Sequence, residues 1–311
     1  MSNLREALEA YLAVRRSLGF SLRGTGRLLH SFVSFLEQQG IACVTTEIAL
    51  RWAKQPNDVQ PAEWARRLSM IRLFAQYHSA TDPRTEVPPQ GLLPYRYHRK
   101  PPYIYSDREI AQLLQAAKRL PSTRGLRPET YSTLFGLLAV TGLRISEALG
   151  LDRDDVDLTE DVLTVRQTKC RKTHLVPIHP STRRRLQEYA RKRDQVHPQP
   201  NTPSFFLSDQ GTRVSEWAVR WAFVGVSRQI GLRGPSDSRG PRLHDLRHRF
   251  AVRTLLGWYR AGIDVERHLP ELATYLGHSH VTDTYWYLTG TPELLRLAAT
   301  RLDQPKGDRL R

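Results

Sequence analysis

Residues 162–178 read Val-Leu-Thr-Val-Arg-Gln-Thr-Lys-Cys-Arg-Lys-Thr-His-Leu-Val-Pro-Ile. The periodicity of the apolar side chains changes within this stretch. Residues 162–167 alternate in the manner of a strand, and a second β-like run covers residues 174–178, beyond residues 169–172, three of which are basic. Most of the chain instead repeats apolar side chains every three or four positions, which predicts helices. We therefore expect a mainly α fold with a small antiparallel β-sheet.

Helical patterns surround the hairpin on both sides. Ser106-Asp-Arg-Glu109 has the pattern of a capping box, in which the cap hydroxyl and the glutamate bond reciprocally to the backbone. Gly142 interrupts an apolar helix predicted over residues 129–140. Further helices are predicted over residues 181–193, 214–230, 242–261, 270–276, 280–288 and 292–302.

The first 80 residues form a separate group of helical patterns. Gly19 and Gly40 close the first two helices, a shorter helix surrounds residues 48–53, and Pro61 opens a fourth. Residues 81–104 are rich in proline and have no apolar period, which is typical of an extended connection. We predict a four-helix domain over residues 1–80, a linker over 81–104 and a second domain over 105–311.

Charge indicates the class of partner. The 311 residues include 47 lysines and arginines against 31 acidic residues, for a formal net charge of +16, which favours a polyanion such as nucleic acid. No apolar run approaches the roughly 20 residues that span a bilayer, and residues 1–10 lack the apolar centre of a signal peptide. We therefore expect a cytoplasmic protein with no membrane partner. The two cysteines, Cys43 and Cys170, have no spacing typical of a disulfide framework or a zinc site.

Three separated segments carry groups suited to a phosphate. The first, residues 141–149, reads Thr-Gly-Leu-Arg-Ile-Ser-Glu-Ala-Leu and places Arg144 after a glycine at the start of a helix. Arginine offers a planar fork that can bind two phosphate oxygens at once. The alternative is a surface arginine paired with Glu147.

The second segment, residues 243–248, reads Leu-His-Asp-Leu-Arg-His within an amphipathic helix. His244 and Arg247 are three positions apart, so they share a helix face and can bind one ligand. A proton-transferring imidazole beside a fixed cation suits phosphoryl transfer. His244 and His248 also have the spacing of a zinc pair, although Asp245 stands where the metalloprotease pattern requires glutamate.

The third segment, residues 276–280, reads Leu-Gly-His-Ser-His and is followed by Tyr285 and Tyr287. Gly277 has the features of a helix terminator that presents His278 at a turn. Taken alone, His278 could equally be a cap or a surface group, and each tyrosine could be a packing residue.

In order and spacing, the three segments resemble the catalytic domain of the tyrosine recombinase, or phage integrase, family, which includes Xer-like site-specific recombinases. That family carries T-G-L-R-x-S-E-L, then H-x-L-R-H, then L-G-H-S and a tyrosine, and the match covers about residues 105–290. In this family the nucleophile lies nine residues after the L-G-H histidine, which selects Tyr287 over Tyr285. The resemblance makes the phosphate-binding and proton-transferring residues Arg144, His244, Arg247 and His278.

The resemblance also implies a catalytic lysine in the β-hairpin. Lys169 is the counterpart, ahead of a basic run and Val176-Pro177-Ile178. The glycines that usually flank this lysine are absent from this sequence, so Lys172 stays an alternative. The N-terminal helices resemble the family's core-binding domain in number and position.

The predicted residues are of the types that a tyrosine nucleophile needs. A phenol with a pKa near 10 is only about 0.1% ionised at pH 7, so two arginines and a protonatable histidine would have to offset a cost of roughly 4 kcal/mol. The same groups would stabilise negative charge on the nonbridging oxygens of the phosphorus. The resemblance implies a 3′-phosphotyrosyl intermediate formed without metal, ATP or another cofactor.

The resemblance implies double-stranded DNA as the substrate, with a dimer on each site, a tetramer in the synapse and other recombinases as potential partners. We hypothesise that the helix opened by Pro292 docks onto a neighbouring subunit, with packing on its own domain as the alternative. A mobile-element role is preferred for the recombinase. The other functions considered are a catalytically inactive DNA-binding protein of the same fold, a type IB topoisomerase, and a zinc hydrolase built on His244, His248 and His278.

Overall fold

A computed structural model of the chain describes residues 4–96, 101–166, 173–278, 280–289 and 292–302. The chain divides into two compact units, Met1–Lys100 and Pro101–Arg311. Helices dominate both units, and the second contains a three-stranded antiparallel sheet, which confirms the predicted fold class. None of the helices in these described ranges has both the length and the apolar character needed to cross a membrane.

The first unit contains the four predicted helices. Pro61 occupies the first turn of the fourth helix, where its missing N–H costs no hydrogen bond. Phe32, Trp52 and Phe74 are fully buried among the helices, with the Phe32 and Trp52 rings 5.3 Å apart edge to face. The helices are α1 (Leu4–Ser17), α2 (Arg23–Gln38), α3 (Thr46–Ala53) and α4 (Pro61–His78).

The segment after α4 packs against the first unit although it forms no helix or strand. The Arg72 guanidinium donates hydrogen bonds to the carbonyl oxygens of Pro88 and Pro89, at 2.6 and 2.7 Å. Leu93 is buried in the core of the four helices. The proline-rich composition therefore correctly indicated that this segment has no helix or strand. Its contacts with α4 and with the helical core nevertheless extend the first unit beyond residue 80.

The second unit is built around a helix that is buried on nearly all sides, α6 (Arg127–Thr141). Apolar and small polar side chains surround this helix, so it lacks the polar stripe of a surface helix. The predicted capping box forms at the start of α5 (Asp107–Ala117), where Ser106 and Glu109 bond reciprocally. The helices are α5 (Asp107–Ala117), α6 (Arg127–Thr141), α7 (Ile145–Gly150), α8 (Pro180–Val196), α9 (Glu216–Gln229), α10 (Leu243–Arg260), α11 (Val265–Tyr275), α12 (Thr282–Tyr285) and α13 (Pro292–Leu302).

The sheet has the order β1-β2-β3, with β1 (Val156–Asp157), β2 (Val162–Val165) and β3 (His174–Pro177). The predicted hairpin is the antiparallel pair β2 and β3, in which Leu163 lies opposite Val176 and both are buried. Alternation explains this pairing, because every second side chain faces the core. The short strand β1 was not predicted, since two residues carry no readable period.

Helix α11 begins five residues before the predicted start at residue 270. The Asp264 side chain accepts hydrogen bonds from the backbone N–H groups of Glu266 and Arg267, which caps the helix at Val265. Pro270 lies inside the helix rather than at its first turn. Proline is common in the first turn of a helix, so its place as the sixth residue of α11 is unusual.

Helix α13 packs against other helices of its own unit. Leu294 is buried in the cluster formed by α10, α11 and the residues around Tyr287. Arg260 on α10 forms an ion pair with Glu293 at 2.5 Å. Docking onto a neighbouring subunit remains a hypothesis about the assembled protein.

Candidate active site

Two glycines end helices at the centre of the second unit. Gly142 follows α6 and Gly277 follows α11, and both have a φ of 65°, a left-handed conformation that favours glycine. Beyond α11, the N–H of Gly277 donates to Thr274 O and the N–H of His278 donates to Ala273 O, each at 2.9 Å. This Schellman motif fixes the backbone that presents His278.

Arg247 on α10 joins the two helix ends. Its Nη1 donates to the Gly142 carbonyl at 2.8 Å and its Nη2 to the Leu276 carbonyl at 2.6 Å. The arginine side chain is only 2% exposed. Carbonyl groups at helix C-termini carry partial negative charge, so they favour a buried cation at this place.

Arg144 lies beside Arg247 and immediately precedes α7. Its Nη1 contacts Glu147 Oε1 at 2.6 Å, and both terminal nitrogens reach the Gly277 carbonyl at 3.5 Å. The Arg144 side chain is 28% exposed. Arg144 therefore pairs with Glu147, as the alternative interpretation of the sequence proposed. It also lies beside the second arginine, Arg247.

Glu147 is a buried carboxylate shared between the two guanidinium groups. Its Oε2 accepts from the backbone N–H of Arg144 at 2.8 Å and lies 4.0 Å from Arg247 Nη1. One carboxylate between two guanidinium groups leaves a local excess of positive charge, which suits a bound anion.

Tyr287 follows α12 in a 3-10 turn, Trp286–Thr289. Its ring stacks on His278 with centroids 6.0 Å apart and meets the edge of His248 at 5.3 Å. Tyr287 also interacts with the Arg247 guanidinium and opposes the decrease that burial causes in the arginine's pKa. Tyr287 is 4% exposed, whereas Tyr285 is 50% exposed.

The imidazoles form a chain around Tyr287. The His244 and His248 ring centroids are 4.8 Å apart, and His248 also contacts the tyrosine ring. On the other side, His278 Nδ1 lies 2.8 Å from the hydroxyl of the buried Thr284. The imidazoles that contact the Tyr287 ring are therefore those of His278 and His248.

Burial lowers the pKa of each of these imidazoles. Burial and then Arg247 lower the pKa of His244. Burial also brings the pKa of His278 to about 4, with Arg247 and Arg144 adding to the effect, and it brings the pKa of His248 to about 4 with a contribution from His244. All three rings are therefore neutral at pH 7 in the DNA-free chain, so each can accept a proton.

These pKa values predict a loss of stability in acid. An imidazole with a folded-state pKa of about 4 and an unfolded value of about 6.5 binds more protons when unfolded, so stability falls as pH decreases between these values. His248→Gln removes one such group. Between pH 7 and pH 5, we expect the variant to lose on the order of 2 kcal/mol less than the wild type, or about 4–8 °C of melting temperature. Melting temperatures by circular dichroism that fall equally in both proteins would show that His248 does not cause the acid sensitivity.

Five of the six predicted site residues therefore lie in one region: Arg144 precedes α7, His244 and Arg247 belong to α10, His278 follows α11 and Tyr287 follows α12. Lys169 and its alternative Lys172 lie outside the described residues. Sequence reasoning missed Thr284, because a threonine that contacts a histidine six positions away leaves no pattern in the chain. It also missed His174 on β3, whose ring adjoins Gly277.

The arrangement does not favour the zinc alternative. Across the described parts of the chain, no three histidine, cysteine, aspartate or glutamate side chains are grouped so that they could hold a metal ion. Those parts include His244, His248 and His278.

The second unit of the chain, which holds these site residues, is similar to a known family of proteins. Residues 105–293 match the model of the phage integrase family. The protein y4rB of Sinorhizobium fredii, whose name assigns it to the integrases and recombinases, is 51% identical over 99% of this chain and 100% of its own length.

Two solved structures share the fold. XerH site-specific recombinase bound to its difH substrate in a post-cleavage complex superimposes with a TM-score of 0.65, at 16% identity over 90% of this chain and 79% of its own. The Tn1549 transposon integrase in complex with transposon right end DNA gives a TM-score of 0.64, at 16% identity over 96% of this chain and 99% of its own.

Proposed function

Because the chain belongs to the phage integrase family of tyrosine recombinases, we propose that it cuts and rejoins DNA at specific sites through a covalent bond to Tyr287. One observation carries this proposal. The buried Arg247 connects the ends of two helices beside Arg144, and the Tyr287 ring lies against His278 in the same region. A phenol can act as the nucleophile toward phosphorus, and two guanidinium groups can stabilise the negative charge on its nonbridging oxygens.

The two arginines bind the nonbridging oxygens of the scissile phosphate. Arg247 is already oriented by Gly142 and Leu276, so the site loses little entropy when the phosphate arrives. His278 donates a hydrogen bond to the phosphate from Nε2 while Thr284 holds Nδ1. Preorganised donors of this kind are worth several kcal/mol at the transition state.

The reaction conserves phosphate ester bonds. The Tyr287 oxygen attacks phosphorus and passes its proton to His244, and His248 contacts both of these rings. The bond from phosphorus to the 5′ oxygen breaks, and Lys169 supplies the proton to that leaving oxygen. A 3′-phosphotyrosyl ester results, and attack by another 5′-hydroxyl reverses the steps, so no nucleotide cofactor is consumed.

Double-stranded DNA is the proposed partner, supported by the net charge of +16 and by the DNA-bound recombinases that share the fold. We propose that the chain acts as a dimer on each site and a tetramer in the synapse. The transposon integrase among the structural neighbours supports integration, excision or transposition of a mobile element as the biological setting.

Covalent capture tests the proposal. DNA fragments spanning the sequences that flank the gene, nicked near the candidate site, are incubated with the purified protein and separated under denaturing conditions. We expect a protein–DNA adduct that forms equally in the presence of EDTA. An adduct that requires zinc would favour the hydrolase alternative, and binding without any adduct would favour a catalytically inactive DNA-binding protein.

A further inference from the structure

A fourth imidazole, that of His174 at the start of β3, lies against the turn that follows α11. A Cβ atom built on Gly277 would lie 3.0 Å from His174 Cε1 and 3.5 Å from each ring nitrogen. The ring therefore packs directly on the residue whose carbonyl receives Arg144. His174 does not belong to any of the three segments that predicted the site.

The charged groups that act on His174 are those of the proposed site, namely Arg144, Arg247 and Glu147. Burial lowers the pKa of its imidazole, Glu147 opposes this effect, and Arg144 and Arg247 lower the pKa further. The ring is neutral at pH 7 as a result, so one of its nitrogens carries a hydrogen that can be donated.

The Nε2 atom of His174 is buried and has no hydrogen-bond partner among the described residues. A buried polar atom without a partner destabilises the folded chain, and an apolar side chain of similar size would fill the space without this cost. Its neighbours in space, Arg144 and Arg247, are the groups expected to receive an anion. A partner that arrives with the substrate would satisfy all three.

We propose that His174 is a further catalytic residue, which donates a hydrogen bond from Nε2 to a nonbridging oxygen of the scissile phosphate. This inference rests on the proposed function of the same site. The phosphate would then be held by Arg144 and Arg247 and by imidazoles from both sides of the turn, His174 and His278.

Three substitutions separate hydrogen bonding from packing. His174→Leu keeps the volume and removes the donor, His174→Gln places an amide nitrogen near the position of Nε2, and His174→Asn places it nearer Nδ1. Single-turnover adduct formation on nicked DNA should be about 10- to 100-fold slower for the leucine and asparagine variants and within about threefold of wild type for glutamine. His197→Leu, which alters another buried histidine of the second unit, should leave the rate of the folded protein unchanged.

Substrates with a methylphosphonate at the scissile position identify the contact. In the diastereomer that lacks the oxygen bound by His174, the leucine variant and the wild type should react at the same rate, and the other diastereomer should preserve the difference. An equal difference on both diastereomers would assign His174 a packing role and overturn the proposal, as would equal rates for asparagine and glutamine. A wild-type protein that forms no adduct on unmodified DNA would instead overturn the proposed function itself.

Discussion

A Tyr287→Phe variant is expected to form no covalent adduct with DNA, a loss of at least about 10,000-fold, while it folds and binds DNA like the wild type. The phenyl ring can keep the contacts with His278 and His248, because these involve the ring faces and edges rather than the hydroxyl. Only the attacking oxygen is removed. Denaturing gels of adduct formation, with a mobility-shift assay for binding, measure the two effects separately.

Tyr285→Phe is the matched control. Tyr285 is two residues away and half exposed, so its hydroxyl should be dispensable and the adduct should form at close to the wild-type rate. Adducts that persist in Tyr287→Phe and disappear in Tyr285→Phe would move the nucleophile to the exposed tyrosine.

Arg247→Lys should lower the rate of adduct formation about 100- to 1000-fold, the range found when one preorganised oxyanion donor is lost. Lysine keeps the charge but cannot reproduce a fork that contacts Gly142 and Leu276 at the same time. The substitution would also leave at least one buried carbonyl unpaired, so we expect the melting temperature to fall.

Arg249→Lys separates the catalytic effect from the structural one. Arg249 is another buried arginine of α10, and it donates to the Tyr105 carbonyl at 2.8 Å and pairs with Asp107, both outside the proposed site. It should lower the melting temperature without changing the rate of the folded protein by more than about threefold. Similar rates for the two variants would show that the guanidinium of Arg247 acts only in folding.

Local rules predicted most elements of the fold. The two β-hairpin strands followed from strict alternation, and the start of α5 followed from the reciprocal bonding of Ser106 and Glu109. Errors arose where a local signal competed with another. The helix predicted from residue 270 begins at Val265, because Asp264, six positions before Pro270, supplies the cap, and the helix tolerates the proline.

Site prediction succeeded where a residue's role shows in a linear pattern and failed where it depends on tertiary contact. Gly142 and Gly277 could be identified as helix terminators from the chain alone. The chain alone could not show that Arg247 donates hydrogen bonds to the carbonyl groups of both Gly142 and Leu276. Arg247 and Gly142 are 105 positions apart, and no local pattern connects them. The same limit applies to His174, whose importance comes from packing on Gly277.

Glu147 illustrates a different gap between pattern and structure. The sequence offered it as a surface partner that would make Arg144 uninformative, which assumes an exposed pair of little energetic value. In the structure the carboxylate is buried and lies within 4.0 Å of Arg247 as well. A buried carboxylate shared by two arginines orients them, and burial is a property that spacing alone does not reveal.

Identification of the residue that is joined to DNA is the most direct test of whether Tyr287 is the nucleophile. Adduct formed on nicked DNA is digested with trypsin and nuclease, and the modified peptide is sequenced by mass spectrometry. We expect a nucleotide attached through its 3′ phosphate to Tyr287. Attachment to Tyr285, to a histidine or to any other side chain would contradict it.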